Sequence, residues 1–353
     1  MTIENLRKRT LTYIIKELDG TTLDAWDAFV DSCPEATFFH KAGWKQVIEN
    51  SFDQRAYFLY AEREGKVCGV LPLVHMKSPL FGNRMVANAY CVAGAPVVTE
   101  DAVLPFLDER AVELMHELGA DYLEYRDPSR PHPDWKRKEG LYATFERPIE
   151  ADEVANLKQI PRKQRAVVRK ALKSELTFSI DTEVADFFNL FALSVRNLGT
   201  PVFARKYFEE LVRVFGDDCD ILTVRLNGRP VSSVLNFYFR DRVMPYYTGS
   251  NPEARKIGAN DFMYWCLMRH AVARGHDIFD FGRSKLGTGP YSFKTNWGFE
   301  PRPVIHEFRM RDGIPMPDVN PNNPKYRLMI SVWKKLPLPV ANFIGPYIGR
   351  QVG

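Results

Sequence analysis

The sequence has no Cys-x-x-Cys pair, no uninterrupted apolar run of bilayer length and no acidic residue between Glu153 and Glu175. Each absence removes a class of function. Its five cysteines, Cys33, Cys68, Cys91, Cys219 and Cys266, are odd in number and widely spaced. That spacing fits neither a zinc knuckle nor a disulfide framework, so no metal is expected and a reducing compartment fits. Without roughly 18 apolar residues in succession, no segment is expected to span a bilayer. The opening stretch, MTIENLRKRTLTYIIKELDG, is polar where a signal peptide would be apolar, and a cytoplasmic protein is expected. A net charge of +4 confines any strongly basic surface to a local patch.

What is present is a long repeat. At 353 residues, with 45% hydrophobic and 26% charged residues, the chain has the composition of a globular protein and the length of two domains. In the first half, Leu23 to Phe52 reads as helical, and YFLYAER (57–63) and KVCGVLPLVHM (66–76) read as strands joined at Glu64-Gly65. DAVLPFLDERAVELMHELG (101–119) then reads as an amphipathic helix ending at Gly119, before the strand DYLEYRD. The second half repeats the plan: the helix ARKYFEELVRVFG (204–216), then DILTVRL and PVSSVLNFYF around the turn Asn227-Gly228. The helix NDFMYWCLMRHAVARG (260–275) and the strand DIFDF complete it. Gly65 corresponds to Gly228, and Gly119-Ala120-Asp121 to Gly275-His276-Asp277.

Helix, hairpin, helix, strand is the order of a GNAT-type acyltransferase lobe. The expected class is therefore α/β (α+β): two tandem GNAT-like lobes, each a mixed, mostly antiparallel sheet flanked by helices. The lobes are expected at 1–150 and 151–320, followed by a tail at 321–353. Between them, IPRKQRAVVRKALKS (160–174) places Arg162, Arg165, Arg169 and Lys173 at helical spacing. A solvated charged face is the plain explanation. A cationic face of one sign repels itself unless a partner neutralises it, so anion binding by Arg165 and Arg169 stands beside it.

The segments FFHKAGWKQVIE, PRKQRAVVRKALK, YYTGSNPEARKIGANDFMYWCLMRHA and FDFGRSKLGTGPYSFKTNWGFEP together resemble the FemAB-like family. The resemblance covers nearly the whole chain and leans toward the subgroup found with exosortase A and PEP-CTERM sorting systems. It implies two GNAT-like lobes and transfer of an acyl or aminoacyl group to an amine of a cell-envelope precursor, of peptidoglycan or exopolysaccharide type. No tightly bound cofactor is implied, only an acyl donor as co-substrate. The long helical hairpin of classical tRNA-using members has no counterpart here. The donor therefore stays open between aminoacyl-tRNA and acyl-CoA or acyl carrier protein.

Acyl transfer to an amine requires a hold on the donor's anionic part, a stabilised oxyanion and a proton acceptor. Arg255-Lys256-Ile257-Gly258-Ala259-Asn260 resembles the GNAT pyrophosphate loop, and Asn260 is expected to cap the helix that follows. Phe293-Lys294 matches the family's Phe-Lys pair, which implies that Lys294 faces the donor and acceptor channel. A surface lysine lying along Trp297 is the alternative. Asp280, at the end of DIFDF, is placed to orient or deprotonate the amine, or to pair structurally with Arg283. Tyr246, Tyr247, Tyr291, Phe293 and Trp297 are candidates to line the cleft, or simply to pack. In the first lobe, Trp44 with the preceding His40-Lys41 resembles the family's acceptor-binding segment, whose lysine corresponds to Lys41 or Lys45.

The tail WKKLPLPVANFIGPYIGR (333–350) is apolar with basic edges, and Pro337, Pro339 and Pro346 are expected to forbid a long helix. It is expected to pack on a lobe or to touch the inner membrane peripherally. Two rival functions accompany the envelope acyltransferase: an acyl-CoA or acyl-carrier-protein dependent N-acyltransferase, and a non-catalytic module that binds an envelope glycolipid or partner protein. A lipid-linked or small-molecule precursor is the expected partner, tRNA a further one, and the oligomeric state is left open.

Overall fold

The computed structural model describes residues 13–79, 81–317 and 324–352. Most of the polar opening stretch and the first residues of the expected tail lie outside them. Two compact units emerge. The first comprises residues up to Glu49, Asp53–Arg137 and His306–Met316; the second comprises Asn50–Phe52, Lys138–Ile305 and the residues from Pro317 onward. Strand β15 delivers His306–Met310 to the first unit, so the units differ from a single cut near residue 150.

The first unit runs β1 (Ile14–Glu17), α1 (Leu23–Ser32), α2 (Gly43–Phe52), β2 (Ala56–Arg63), β3 (Lys66–Ser78) and β4 (Gly82–Ala87). It continues with β5 (Val97–Val98), α3 (Leu104–Glu117), β6 (Tyr122–Arg126) and the start of β7 (Lys136–Thr144). The second opens with β8 (Glu146–Pro148), α4 (Glu153–Gln159), α5 (Arg162–Ala171), β9 (Leu176–Asp181), α6 (Val184–Leu198) and α7 (Arg205–Phe215). Then come β10 (Cys219–Leu226), β11 (Arg229–Phe239), β12 (Arg242–Ser250), α8 (Pro252–Ile257), α9 (Ala259–Ala273), β13 (Ile278–Asp280) and β14 (Ser284–Lys285). Helix α10 (Gly289–Asn296), β15 (Arg302–Met310), α11 (Pro324–Trp333) and α12 (Leu338–Val352) complete the chain.

The repeat seen in the sequence is a repeat of topology. In the first unit the strands lie β1-β2-β3-β4-β6-β15, and in the second β9-β10-β11-β12-β13-β8. Each sheet contains a parallel step, β4 with β6 and β12 with β13. A parallel step needs a crossover, which α3 supplies in one unit and α8–α9 in the other. The hairpin turns are alike: Glu64 and Gly65 have φ of 52° and 76°, Asn227 and Gly228 of 49° and 77°. Two successive left-handed residues match the twist of paired strands, which is why glycine occupies the second site. Buried side chains on α3 (Leu107, Ala111, Leu114, Met115) and on α7 (Tyr207, Phe208, Leu211) recur at helical spacing and press on their sheets.

One expectation is overturned. The proline-bearing tail forms a 15-residue helix, α12. Pro339 falls in its first turn, where a backbone N–H has no helical partner to lose. Only Pro346 interrupts the interior, at about 3 kcal/mol. Close packing offsets this, because Gly345 and Gly349 let the helix lie against Val202 and Phe203 of the same unit. Among the described residues, no helix is long and apolar enough to cross a membrane.

Candidate functional site

The site begins where the second sheet opens. β12 and β13 pair only at Arg242–Ile278 and Val243–Phe279, after which they diverge. On its other side, β12 carries an extra residue at Tyr246: Asn236 faces Pro245, and Leu235 faces Tyr247. Such a bulge re-aims the strand beyond it. Tyr264 of α9 bridges the two diverging strands. Its hydroxyl lies 2.9 Å from Thr248 Oγ1 on β12, and its ring meets Phe281, just past β13, edge-on at 4.8 Å. Burial pushes its hydroxyl pKa up to about 12.

β13 ends at Asp280, and the chain turns at Gly282, whose φ is 64°. The Gly282 N–H donates to Asp280 Oδ1 at 2.7 Å. Lys294, on α10, reaches back into this turn and is only 9% exposed. Its ammonium donates to the carbonyl oxygens of Phe281, Gly282 and Arg283 at 2.6, 2.9 and 3.2 Å. It also lies 5.4 Å from the Phe145 ring centroid. Burial brings the Lys294 pKa down to about 7, against the pull of Asp280 and with a push from Arg283. Burial also lifts Asp280 to about 6, with Glu146 adding, and the Gly282 N–H, Arg242 and Lys294 opposing. A cation and a carboxylate thus share one strand end, both titrating near neutral pH.

The expected lining residues divide: Phe293, Tyr291 and Arg283 pack near this pair, whereas Tyr246 and Tyr247 join a separate cluster with Phe191, Tyr207 and Phe208. Phe293 lies tilted beside Tyr264 at 5.5 Å, Tyr291 meets Phe145 edge-on at 5.3 Å, and the Arg283 guanidinium covers the Tyr142 ring at 4.4 Å. Tyr246 and Tyr247 stand perpendicular at 4.8 Å, and the Tyr247 hydroxyl meets that of Tyr207 at 2.9 Å. Trp297 is different. It is fully buried, and its indole N–H donates to Asp261 Oδ1 at 3.0 Å, tying α10 to α9. It offers a substrate no surface. Trp44 is equally buried in the first unit, with its N–H donated to the Phe38 carbonyl, and Lys41 there pairs with Asp31 at 2.7 Å.

The anion-binding candidates need one correction. Asn260 does not cap α9. Gly258, with φ of 72°, both ends α8 and precedes α9, so Asn260 falls within the first turn, where its Oδ1 accepts from Ser232 at 2.6 Å. Asn251 is the residue that caps a helix, accepting the Ala254 N–H at the start of α8. Gly258 lies so near α5 that a Cβ would stand 3.3 Å from that of Ala171. Arg255 occupies the last turn of α8. On α5, Arg165 donates to the carbonyls of Lys158 and Ile160, closing the end of α4. Arg162, Arg169, Lys170 and Lys173 line an open depression along the helix. Among the described residues none of these four has a carboxylate partner.

Sequence reasoning missed Tyr264, Phe281 and Phe145. The available signal was a polar hydroxyl within α9, which is otherwise buried almost continuously from Ala259 to Met268. In the first unit the corresponding strand end is filled. Glu124 accepts from Arg126 and meets His306 Nδ1 at 2.9 Å, and Arg126 donates to the carbonyls of Ala89 and Cys91. The Arg126 guanidinium and the His306 hydrogen bond hold the Glu124 carboxyl far below its usual range despite burial.

Residues 157–295 match the family model for an acetyltransferase (GNAT) domain. That part of the chain is a GNAT domain, and the protein is a transferase. None of the curated proteins matches the sequence. Solved structures that share the fold include the following three. FemX is 18% identical, with a TM-score of 0.66 over 90% of this chain and 100% of its own. A tandem GNAT protein from the clavulanic acid biosynthesis pathway is 13% identical, with a TM-score of 0.54 over 87% of this chain and 100% of its own. The C-terminal domain of a protein described as a lysylphosphatidylglycerol synthetase, from Agrobacterium fabrum, is 14% identical, covering 82% of this chain and 92% of its own at a TM-score of 0.53. The architecture is that of tandem GNAT proteins, and the likeness to FemX agrees with the resemblance read from the sequence.

Proposed function

We propose that the protein is a FemAB-type acyltransferase that acylates an amine of a cell-envelope precursor at the Lys294–Asp280 strand end. The observation that carries this reading is the burial of Lys294 beside Asp280, with their pKa values brought to about 7 and about 6. In the reaction the amine nitrogen attacks the donor carbonyl and its proton passes to Asp280. The Lys294 ammonium offsets the negative charge that grows on the carbonyl oxygen. Collapse of the intermediate expels the donor's alcohol or thiol, which takes up the proton. Tyr246, Tyr247, Arg283, Tyr291 and Phe293 supply walls for the substrates. Arg255, the Gly258 turn and the basic face of α5 hold the donor's anionic part.

The donor is aminoacyl-tRNA or an acyl thioester. The tight Gly258 turn before α9, with Arg255 and Lys256 one turn earlier, favours a compact pyrophosphate such as that of acyl-CoA. The resemblance sets the wider context: a cytoplasmic enzyme working near the inner membrane, in an exopolysaccharide or PEP-CTERM sorting system. The deciding experiment incubates the protein with acyl-CoA or charged tRNA and amine-bearing envelope precursors, and follows acylated product by mass spectrometry. Ligand binding without product, across both donors, would favour the non-catalytic module instead.

A further inference from the structure

Helix α12 has two apolar faces; among the described residues one packs against protein and the other is largely exposed. Ala341, Gly345 and Gly349, spaced by four, form the inner face. A Cβ on Gly345 would stand 3.0 Å from the Val202 carbonyl oxygen, and one on Gly349 3.2 Å from Phe203 Cδ1. Val340, Phe343, Ile344 and Tyr347, at i, i+3, i+4 and i+7, form the outer stripe. Phe343 is 72% exposed and Tyr347 56%. A helix packed on a globular protein ordinarily turns polar side chains to water at such positions. Met329 and Val332 of α11 are exposed as well.

The charges that this segment itself contributes are of one sign. Residues 319–353 contain Lys325, Arg327, Lys334, Lys335 and Arg350 and no acidic residue. Lys334 and Lys335 are exposed just before α12, and at its other end the Arg350 guanidinium lies 5.7 Å from the Tyr347 ring centroid. The geometry points to an anionic lipid surface as the partner of the outer stripe: α12 lies flat on the bilayer, with Phe343 and Tyr347 inserted among the headgroups and the cations meeting lipid phosphates. At 15 residues the helix is about 22 Å long, suited to lie in the interface rather than to cross. A second copy of this chain fits poorly. A two-fold contact through the stripe would bring like cations together, with no carboxylate in the segment to meet them.

This inference rests on the proposed function only in its purpose, which is to hold the enzyme beside a lipid-linked acceptor. The contact itself is independent of catalysis, so the two readings fail separately. The test is co-sedimentation of the full chain with vesicles of phosphatidylglycerol and phosphatidylcholine in equal parts, against vesicles of phosphatidylcholine alone. Binding is expected to the anionic vesicles, and to weaken as salt rises. Phe343→Ser with Tyr347→Ser should abolish it while the melting temperature holds. Lys334→Gln with Lys335→Gln should weaken it by roughly fivefold per cation. Equal binding to both vesicle types, no binding, binding retained by the Phe343/Tyr347 variant, or concentration-dependent dimerisation lost in that variant would each overturn the assignment.

Discussion

Lys294 donates its buried ammonium to the Phe281 carbonyl oxygen at 2.6 Å, and two further carbonyls of the same turn complete its shell. A lysine so placed does two things at once: it pins the turn that follows β13, and it sets a positive charge next to Asp280. Lys294→Met is therefore expected to reduce stability by about 1–3 kcal/mol, because the carbonyls lose a charged donor. It should also lower the rate at saturating donor by roughly a hundredfold, if the charge offsets the growing oxyanion. Thermal melts and kcat, measured on one preparation, separate these effects. A lowered melting temperature with unchanged kcat would leave Lys294 a purely structural residue.

The same pair sets a pH profile. Transfer as proposed requires Asp280 ionised and Lys294 protonated, with pKa values of about 6 and about 7. The pH dependence of kcat/KM should be a narrow bell between those limbs. In Asp280→Asn the acidic limb should disappear. The alkaline limb should move to lower pH, because the carboxylate that raises the Lys294 pKa is gone. A rate that climbs steadily through pH 8 would instead make neutral Lys294 the proton acceptor.

Much of the fold was legible because its signals are local. The Glu64-Gly65 and Asn227-Gly228 turns, and the glycines closing α3 and α9, are recorded in two or three adjacent residues. Two long-range strand pairings were not. β15 joins β6, and β8 joins β13, through pairings between segments far apart in sequence, and no residue in either strand announces its partner. The site divides the same way. Lys294 and Asp280 stood out as charges in an apolar context, whereas Trp44 and Trp297 looked like binding residues and proved to be core. An indole reads the same in a sequence whether its N–H meets a ligand or a buried Asp261. Asn260 failed as a cap because the left-handed Gly258 starts α9 two residues earlier, a backbone fact with no side-chain signature.

His132 supplies a prediction in the first unit. Its Nδ1 lies 2.7 Å from Glu307 and its Nε2 3.0 Å from Asp108, while its ring stacks on Trp135 at 4.4 Å. Burial opposes its charge, but the hydrogen bonds and attraction of the two carboxylates outweigh it and raise its pKa above 6.5. A folded pKa above the unfolded one gives stability that is fully present below the unfolded value and lost as pH rises through the folded one. The melting temperature should therefore fall as pH rises past neutrality. His132→Gln should melt lower at pH 6 and show a flatter dependence. A parallel decline in both proteins would place the titrating group elsewhere.

Gly249 tests how tightly the site's framework is built. It lies on β12 directly beneath α6, and a Cβ there would collide with the backbone of Leu190 and Phe191. Backbone cannot rotate away as a side chain can. Gly249→Ala should cost about 1–3 kcal/mol or more through overpacking. Gly65→Ala provides a contrast, since nothing lies within 4 Å of its Cβ and only its φ of 76° resists substitution. Denaturant melts should show the larger loss at Gly249. Equal losses would mean that α6 moves freely against the sheet.

The basic face of α5 separates two kinds of arginine on one helix. Arg165 is held by the carbonyls of Lys158 and Ile160, so it fastens α4 to α5. Arg162 and Arg169 line the open depression and hold no carboxylate among the described residues. Arg165→Ala should lower stability, by about 1.5–3 kcal/mol for a hydrogen-bonded charge. The double variant Arg162→Ala, Arg169→Ala should leave stability nearly unchanged, because exposed charges contribute little. If the face holds the phosphates of a donor, the double variant should bind tRNA or CoA more weakly. With tRNA, the slope of log affinity against log salt should shrink by about 0.7–0.9 per cation removed. Titrations with each donor at several salt concentrations, alongside melts of all three proteins, decide the matter. Unchanged affinity and slope for both donors would leave these cations as a solvated face, and the donor would then have to be held by Arg255 and the Gly258 turn alone.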